Sequence, residues 1–429
     1  MRDKLGGDEL AARERALLAH YDGLRRADLH LDLTRGKPSP EQLALSDAME
    51  HLVDGNFMSD DGIDVRNYGG LTGLLAARRL GAELLGVRPD EVIAGGNASL
   101  TLMYQYLLSA WLHGPLGPDT AWRHESTSLK FLCVVPGYDR HFAITEDLGF
   151  ELINVRMRAD GPDMDQIEAL VAADPCIKGI WCVPKYSNPS GEVYSEAVVD
   201  RFARLATIAG PNFRIMWDNA YAVHDFDDDP PVLANVLERC RHAGNADSVI
   251  VIGSTSKVTQ AGAGISFLAA SPANLAAFTA RLAVQTIGPD KLNQLRHVRF
   301  LKNVDGIRAH MRQHAAILRP KFDLVLQHLR DGLEDDGIAT WSTPRGGYFL
   351  SLETPPGLAT ETVRLAGAAG LKLTPAGATF PYGHDPEDRN IRLAPTFPSL
   401  DQIDQAMPLF VTALKLAAVR QRLAQVGSG

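Results

Sequence analysis

The chain has 429 residues, of which 45% are hydrophobic and 22% charged, and it carries a formal net charge of −9. That length supports a large core shared between two or three units. The acidic balance gives no global support to a nucleic-acid surface, and no apolar run is long enough to span a membrane as a helix.

The chain opens on a charged amphipathic helix, "MRDKLGGDELAARERALLAHYDGL", without the apolar segment of a signal peptide. Six short apolar runs bounded by Gly, Pro or Asp then read as strands: 91–96, 131–136, 179–184, 213–218, 248–253 and 265–270. Helical patterns such as "SLTLMYQYLLSAWL" and "SEAVVDRFARLATIAG" lie between them. This alternation predicts an α/β fold with a mostly parallel sheet covered on both faces. The acidic run "HDFDDDPP" reads as a solvated loop. The last third, a long charged helix over about 291–333 followed by "GIATWSTPRGGYFLSLE", "LKLTPAG" and "NIRLAPT", reads as a smaller α+β unit. We expect a segment 1–55 packing on that small unit, a large domain over 56–305 and the small domain over 306–429. Of four cysteines, Cys133 and Cys182 lie in strand-like runs and no CxxC occurs, which predicts buried thiols and a reducing, cytoplasmic setting.

In an open α/β sheet, ligands bind beyond the carboxyl ends of the strands. Gly96, Asn97, Ala98 and Ser99 follow the first run and open a helix, which suits a phosphate and equally suits a plain helix cap. Tyr138 follows the second, Asn188 the third, Asp218 and Tyr221 the fourth, and Ser254, Thr255, Ser256 and Lys257 the fifth. Taken singly, each has a bland reading as a turn, a cap or a packed aromatic. Together they supply a phosphate cradle, an aromatic plate, an amide, a carboxylate and an amine. Pyridoxal 5'-phosphate uses all of these, and a covalent bond to its aldehyde would explain a lysine at the tip of a buried strand.

The order Tyr-Gly-Gly, Gly-Asn-Ala-Ser, Gly-Tyr, Asn-Pro-x-Gly, Asp-x-x-Tyr, Ser-x-x-Lys and a late arginine resembles fold-type I, class I pyridoxal-phosphate aminotransferases over nearly the whole chain. "LDLTRGKPSPEQLALS", "VPGYDRHF", "KYSNPSGEVY" and "TSKVTQAGAGISF" resemble the bacterial Ic subgroup of aspartate aminotransferases and the aminotransferase-like domain of MocR-type regulators. The resemblance implies that Lys257 carries the cofactor and moves the substrate proton. It implies that Asp218 faces the pyridine nitrogen, that Tyr221 and Asn188 bond the ring's phenolic oxygen, and that Tyr138 stacks on the ring. Asn97, Ala98, Ser99 and Ser254 would hold the phosphate, with Tyr68 reaching across from the other subunit of a homodimer. Arg392 would fork onto the substrate α-carboxylate beside Asn188, and Gly36 would leave room for the substrate. The substrates implied are an amino acid, aspartate foremost, and a 2-oxo acid such as 2-oxoglutarate.

One departure stands out. The phosphate-binding arginine usual about eight residues after the lysine is missing from "VTQAGAGIS". Hydroxyls and a helix dipole, or Lys291 from a neighbouring subunit, are its expected replacements. A dicarboxylate substrate also needs a second cation, for which Arg35, Lys37 and Lys291 are the options.

Other motifs read as structure. "YGGLTGLLAARRLG" lacks the preceding strand of a dinucleotide fingerprint. His310 and His314 lack the glutamate of a zinc protease and read as surface histidines, and the basic stretch 296–314 reads as a solvated or inter-subunit face rather than a nucleic-acid site. Two further functions remain open: a C–S lyase or an aminotransferase for other amino acids, and a ligand-binding module of a MocR-like regulator. The last would need a DNA-binding domain ahead of "LDLTRGKP".

Overall fold

A computed structural model describes residues 6–27, 29–125 and 128–427. Thirteen strands occur among these residues: β1 (Leu31–Asp32), β2 (Val92–Ala94), β3 (Lys130–Val135), β4 (Glu151–Arg158), β5 (Gly161–Pro162), β6 (Ile177–Cys182), β7 (Arg214–Asp218), β8 (Val249–Ser254), β9 (Ser266–Ala270), β10 (Thr340–Trp341), β11 (Leu350–Glu353), β12 (Leu371–Lys372) and β13 (Asn390–Leu393). All six strands expected from sequence are present within one or two residues of their predicted ends. Three were not foreseen: β4 and β5, at one edge of the large sheet, and β1, which pairs with β12.

The large sheet runs β2-β9-β8-β7-β6-β3-β4-β5. The central strands β8, β7, β6, β3 and β4 are mutually parallel, and β9 is antiparallel to both of its neighbours. Two reversals around β9 bring β2 back to the common direction, so the carboxyl ends of β2, β3, β6, β7 and β8 share one edge of the sheet. The strands β6, β7, β8 and β9 are buried along their whole length. That is why they read as continuous apolar runs: each lies between two layers of helices and has no wet face. One face packs Leu80, Phe202, Trp217 and Phe267 into a core, and the other packs Tyr106, Trp122, Phe131 and Trp181.

A second core is built on the antiparallel sheet β10-β11-β13. The N-terminal helix Gly7–Arg25 joins it: Tyr21 Oη donates to the Leu365 carbonyl at 2.7 Å, and Arg420 pairs with Glu14 at 2.9 Å. The strand β1 pairs in parallel with β12, so the chain segment leading to Gly36 is anchored to residues more than 300 positions later.

The 30-residue helix Val304–Leu333, about 45 Å long at 1.5 Å per residue, links the two cores. Ile307 and Met311 sit in the large core, while Val325, Leu329 and Leu333 sit in the small one. Between them Leu318 joins Tyr186, Tyr221, Tyr348 and Phe349 in a small buried cluster at the junction. This junction lies beside the carboxyl edge of the large sheet.

His310 and His314 are buried on this helix, which overturns the surface assignment made from sequence. The basic stretch 296–314 is only partly solvated: Lys302, Arg308 and Arg312 are exposed, but the Arg299 guanidinium donates to the carbonyls of Leu52, Asn56 and Met58 at 2.8–3.0 Å. Nor is the acidic run wholly solvated. Asp225 accepts from Tyr186 Oη at 2.6 Å and pairs with Lys185 at 2.7 Å, and Asp227 pairs with Arg345 at 2.6 Å.

Candidate active site

Five strand ends deliver the site. The helix Ser99–His113 begins after β2 with Ala98 at its N-cap and no side-chain cap; the Thr101 N–H bonds the Ala98 carbonyl at 3.2 Å, and the N–H groups of Ser99 and Leu100 precede the intrahelical ladder. Facing it is the turn after β8. There Ser254 Oγ accepts from the Ser256 N–H at 3.0 Å, and Ser256 Oγ donates to the Asn97 carbonyl at 3.1 Å. Asn97 Nδ2 bonds the Gly262 carbonyl at 3.0 Å. Asn97, Ala98, Ser99, Ser254 and Ser256 therefore stand on two turns tied to each other, which combine hydroxyls with a helix N-terminus, an arrangement suited to an anion. Ser256 was not assigned from sequence, although it stands in the same "STSK" run.

The loop after Lys257 is tied at its base. Thr255 exchanges bonds with Ile265 through both its backbone N–H and its Oγ1, at 2.9 and 2.8 Å. Gly264 comes so close to Ser256 that a Cβ there would lie 2.8 Å from its backbone nitrogen. Asn293 Nδ2 donates to the carbonyls of Ala263 and Gly264 at 2.9 Å. These uncharged contacts shape the segment in which the arginine is missing.

Lys257 keeps part of its surface open to the cleft, but its amine is packed round by protein, 5.1 Å from the centre of the Tyr221 ring. Burial pushes its pKa down from the ordinary lysine value, and the Asp218 carboxylate partly opposes the shift. Asp218 ends β7 and is buried. Its Oδ2 accepts from His141 Nε2 at 2.9 Å, while its Oδ1 is buried with no hydrogen-bond partner. An orphaned carboxylate oxygen in a dry site is costly. It calls for a cationic or N–H donor, and the ring nitrogen of pyridoxal phosphate is such a donor.

His141 was missed from sequence. Its ring stacks on Trp181 at 4.3 Å and 7° and meets the Tyr138 ring edge-on at 4.9 Å. Tyr138 and Tyr221 both feel Asp218 and Arg392, and burial raises both phenols. Tyr138 is pushed up to about 12, so it is protonated at neutral pH.

Arg392, on β13, reaches across from the small sheet. Its guanidinium donates to Asn188 Oδ1 at 3.3 Å and to Thr374 Oγ1 at 3.4 Å, lies 4.9 Å from the centre of the Phe349 ring and faces Asp139 at 3.6 Å. Gly36 packs on the same Phe349: a Cβ at Gly36 would fall 2.4 Å from the ring, so any larger residue would displace the ring under Arg392. Arg35 and Lys37 are exposed beside it. Lys37 lies over the Phe397 ring at 3.9 Å, and among the described residues no ion pair engages the Arg35 guanidinium.

Two expected residues do not converge on this centre. Tyr68 projects from the surface at 84% exposure. Lys291 is buried, and its ammonium donates to the carbonyls of Asn67 and Gly69 at 2.8 and 2.7 Å. Those bonds hold it within its own chain and use two of its three N–H donors.

The residues fit the cofactor: an anion cradle, an aromatic plate, a carboxylate oxygen lacking a donor and a desolvated amine lie together. The comparisons agree. Residues 5–426 match the family model described as aspartate amino-transferase. A Mycolicibacterium smegmatis protein, described provisionally as an aminotransferase, is 50% identical over 422 residues, 98% of each chain. An aspartate aminotransferase of Corynebacterium glutamicum is 45% identical over 93% of this chain and 92% of its own. The solved structure of an aspartate transaminase from Corynebacterium glutamicum superposes with a TM-score of 0.93 at 43% identity, covering 97% of this chain and 98% of that one. By sequence and by architecture, the chain belongs to the aspartate amino-transferase family and is a pyridoxal-phosphate-dependent aminotransferase.

Proposed function

We propose that the protein transfers the amino group of aspartate to 2-oxoglutarate, with Lys257 as the residue that carries the cofactor and moves the proton. The observation that carries this reading is the pairing of a desolvated lysine amine with a carboxylate whose Oδ1 lacks a donor, at neighbouring strand ends. When bound, pyridoxal phosphate supplies an aldehyde for the amino group and a ring that draws electrons from the substrate's α-carbon.

The chain's own residues do the rest. Burial lowers the pKa of Lys257 and so favours the neutral amine, the form that takes a proton from the α-carbon and returns it elsewhere. Asp218, held from one side by His141, offers Oδ1 to a ring N–H and favours the protonated ring nitrogen. Tyr138 is the ring's stacking partner, and Tyr221 and Asn188 bond its phenolic oxygen. Asn97, Ala98, Ser99 and Ser254, with Ser256, hold the phosphate. Arg392, steadied by Asn188 and Thr374 over the Phe349 ring, forks onto the α-carboxylate. Arg35 reads the distal carboxylate, a role its unpaired guanidinium leaves open. Tyr68 completes the phosphate site of a second copy, which makes the working unit a homodimer with two-fold symmetry. A cytosolic setting suits the buried thiols of Cys133, Cys182 and Cys240. The C–S lyase reading differs in products and would release a keto acid without any amino acceptor.

Substrate charge separates the two arginines. Arg35→Gln removes one charged bond, worth about 1.5–3 kcal/mol, from aspartate and none from phenylalanine. Arg392→Gln damages both, because both carry the α-carboxylate. The measurement is kcat/KM for aspartate and phenylalanine in each variant. Equal losses for the two substrates in Arg35→Gln would return Arg35 to a structural role and leave Lys37 as the reader.

A further inference from the structure

Around the backbone of Lys257 and Val258 lies a buried polar network that the chemistry described above does not use. Its members come from four separate segments. His224 follows β7, Tyr348 precedes β11, His310 and His314 stand one turn apart on the helix Val304–Leu333, and Gln42 lies on the short helix Pro40–Ala44 that follows Gly36. Gln42, His314 and Tyr348 are completely buried, and His224 and His310 nearly so.

The donors converge on two consecutive carbonyls. Lys257 O faces His224 Nε2 at 3.2 Å and Tyr348 Oη at 3.4 Å. Val258 O faces His310 Nε2 at 2.8 Å, and the same carbonyl also attracts the His314 proton.

The protons can be assigned. The Ser39 N–H donates to Gln42 Oε1 at 3.1 Å, which turns the Gln42 amide nitrogen the other way. That nitrogen donates to Tyr348 Oη at 3.0 Å and to His314 Nδ1 at 3.0 Å. His314 Nδ1 is thus an acceptor, and its single proton sits on Nε2. Tyr348 Oη, having accepted from Gln42, sends its own proton to Lys257 O. His310 Nε2 bears a proton because its partner is a carbonyl. The two Nε2 atoms lie 3.2 Å apart, and Ser46 Oγ lies 3.4 Å from that of His310. His224 Nε2 likewise bears the proton, and its Nδ1 has no partner.

Every ring is neutral in this arrangement. Burial is the main cause, lowering His314 to about 4 and His224 to about 3, with His310 lowered as well. Hydrogen bonds alone fix the carbonyls, without any charge placed beside the amine.

We propose that His224, His310, His314 and Tyr348, oriented by Gln42, are positioning residues that clamp the peptide groups of Lys257 and Val258 and so fix where the Lys257 amine can travel. This rests on the reading of Lys257 as the cofactor lysine. Proton transfer needs the amine within a few tenths of an ångström of two successive positions, and an error of 1 Å can cost about a hundredfold in rate. A lysine side chain has four rotatable bonds, so a fixed backbone origin narrows the search. Because Gln42 lies just after the Gly36 segment, the clamp also ties the substrate-facing N-terminal segment to the lysine.

The test compares Tyr348→Phe, His310→Leu and His310→Gln with the wild-type holoenzyme. In each, kcat and KM are measured together with the pH midpoint of the visible absorbance of the cofactor joined to Lys257. Tyr348→Phe and His310→Leu are expected to lower kcat about tenfold or more, with KM changed less than about twofold, and to move the absorbance midpoint. His310→Gln, whose amide restores an N–H near the same place, is expected to recover most of the loss. Wild-type kcat and midpoint in Tyr348→Phe would overturn the clamp, as would a His310→Gln variant no better than His310→Leu. If His310→Leu does not fold, Tyr348→Phe decides. Borohydride reduction of the wild-type enzyme separates the two levels: an adduct absent from Lys257 overturns the reading of the lysine and the clamp with it. An adduct on Lys257 with unchanged Tyr348→Phe overturns the clamp alone.

Discussion

Asp218 shows how much one side chain can reveal. It is buried, one oxygen is held by a histidine that stacks on Trp181, and the other faces a space with no donor from the chain. Removing its charge while keeping its shape isolates the electrostatic part of its role. Asp218→Asn is expected to retain bound cofactor and to lose about two orders of magnitude in kcat, the loss typical of one preorganised electrostatic partner. Steady-state kinetics beside the visible spectrum measure this, and undiminished turnover with full cofactor would remove Asp218 from the ring nitrogen. Asp218 itself was legible in the sequence, because a carboxylate ending an apolar run has few structural excuses. His141 was not: it stands 77 residues from Asp218 and no spacing rule joins them. Its only early signal was its place three residues after Tyr138, on the first turn of a helix that leaves a strand end.

Elements were legible to the extent that burial dictated their composition. The two-sided strands β6 to β9 are mostly apolar and were found, whereas β4, near the sheet edge, mixes buried and exposed positions in "ELINVRMR" and reads as neither strand nor helix. The helix Val304–Leu333 was visible as a helix, but its buried face was not, because polar residues on a charged helix look solvated until the segments that cover them are known. The bonds Lys291 makes within its own chain were hidden for a similar reason. At the start of the helix Lys291–Leu301 it holds the turn that carries Tyr68 by bonding the carbonyls on either side of it. Its effect on the active site should therefore run through Tyr68. Lys291→Met leaves two carbonyls without their donor and frees the turn. We expect cofactor affinity to fall about tenfold, the equivalent of one hydrogen bond. Titrating cofactor-free enzyme by absorbance gives the value. If the turn acts only through Tyr68, adding Lys291→Met to Tyr68→Phe should cost little more than Tyr68→Phe alone. Fully additive losses would mean that Lys291 acts on the phosphate by another route.

At the scale of the whole molecule, the buried histidines make stability depend on pH in a definite direction. Burial lowers His224 to about 3, and lowers His297 and His314 to about 4; His310 is lowered too. In the unfolded chain each titrates near the ordinary value of about 6.5. Between that value and the folded one, the unfolded state binds protons that the folded state refuses. Stability therefore rises with pH across this window and is lost as pH falls through it, by up to about 1.4 kcal/mol per pH unit for each histidine. Carboxylates held down by basic partners, such as Glu168 by Arg201 and Asp174 by Lys130, act in the same direction, but only nearer their own ordinary range. The interval from about pH 6 to 5 thus belongs mainly to the histidines. Urea unfolding at fixed protein concentration, which holds any subunit association constant, should show ΔG falling steeply over that interval. Replacing His310 and His314 together by glutamine removes two titrating groups while keeping an N–H at each site. The double variant should lose stability at pH 8 and show a shallower slope below pH 6, so that the two curves draw together as pH falls. Parallel curves would mean that these rings stay neutral in the unfolded chain or charge in the folded one, and either would contradict the proton assignment on which the clamp around Lys257 depends.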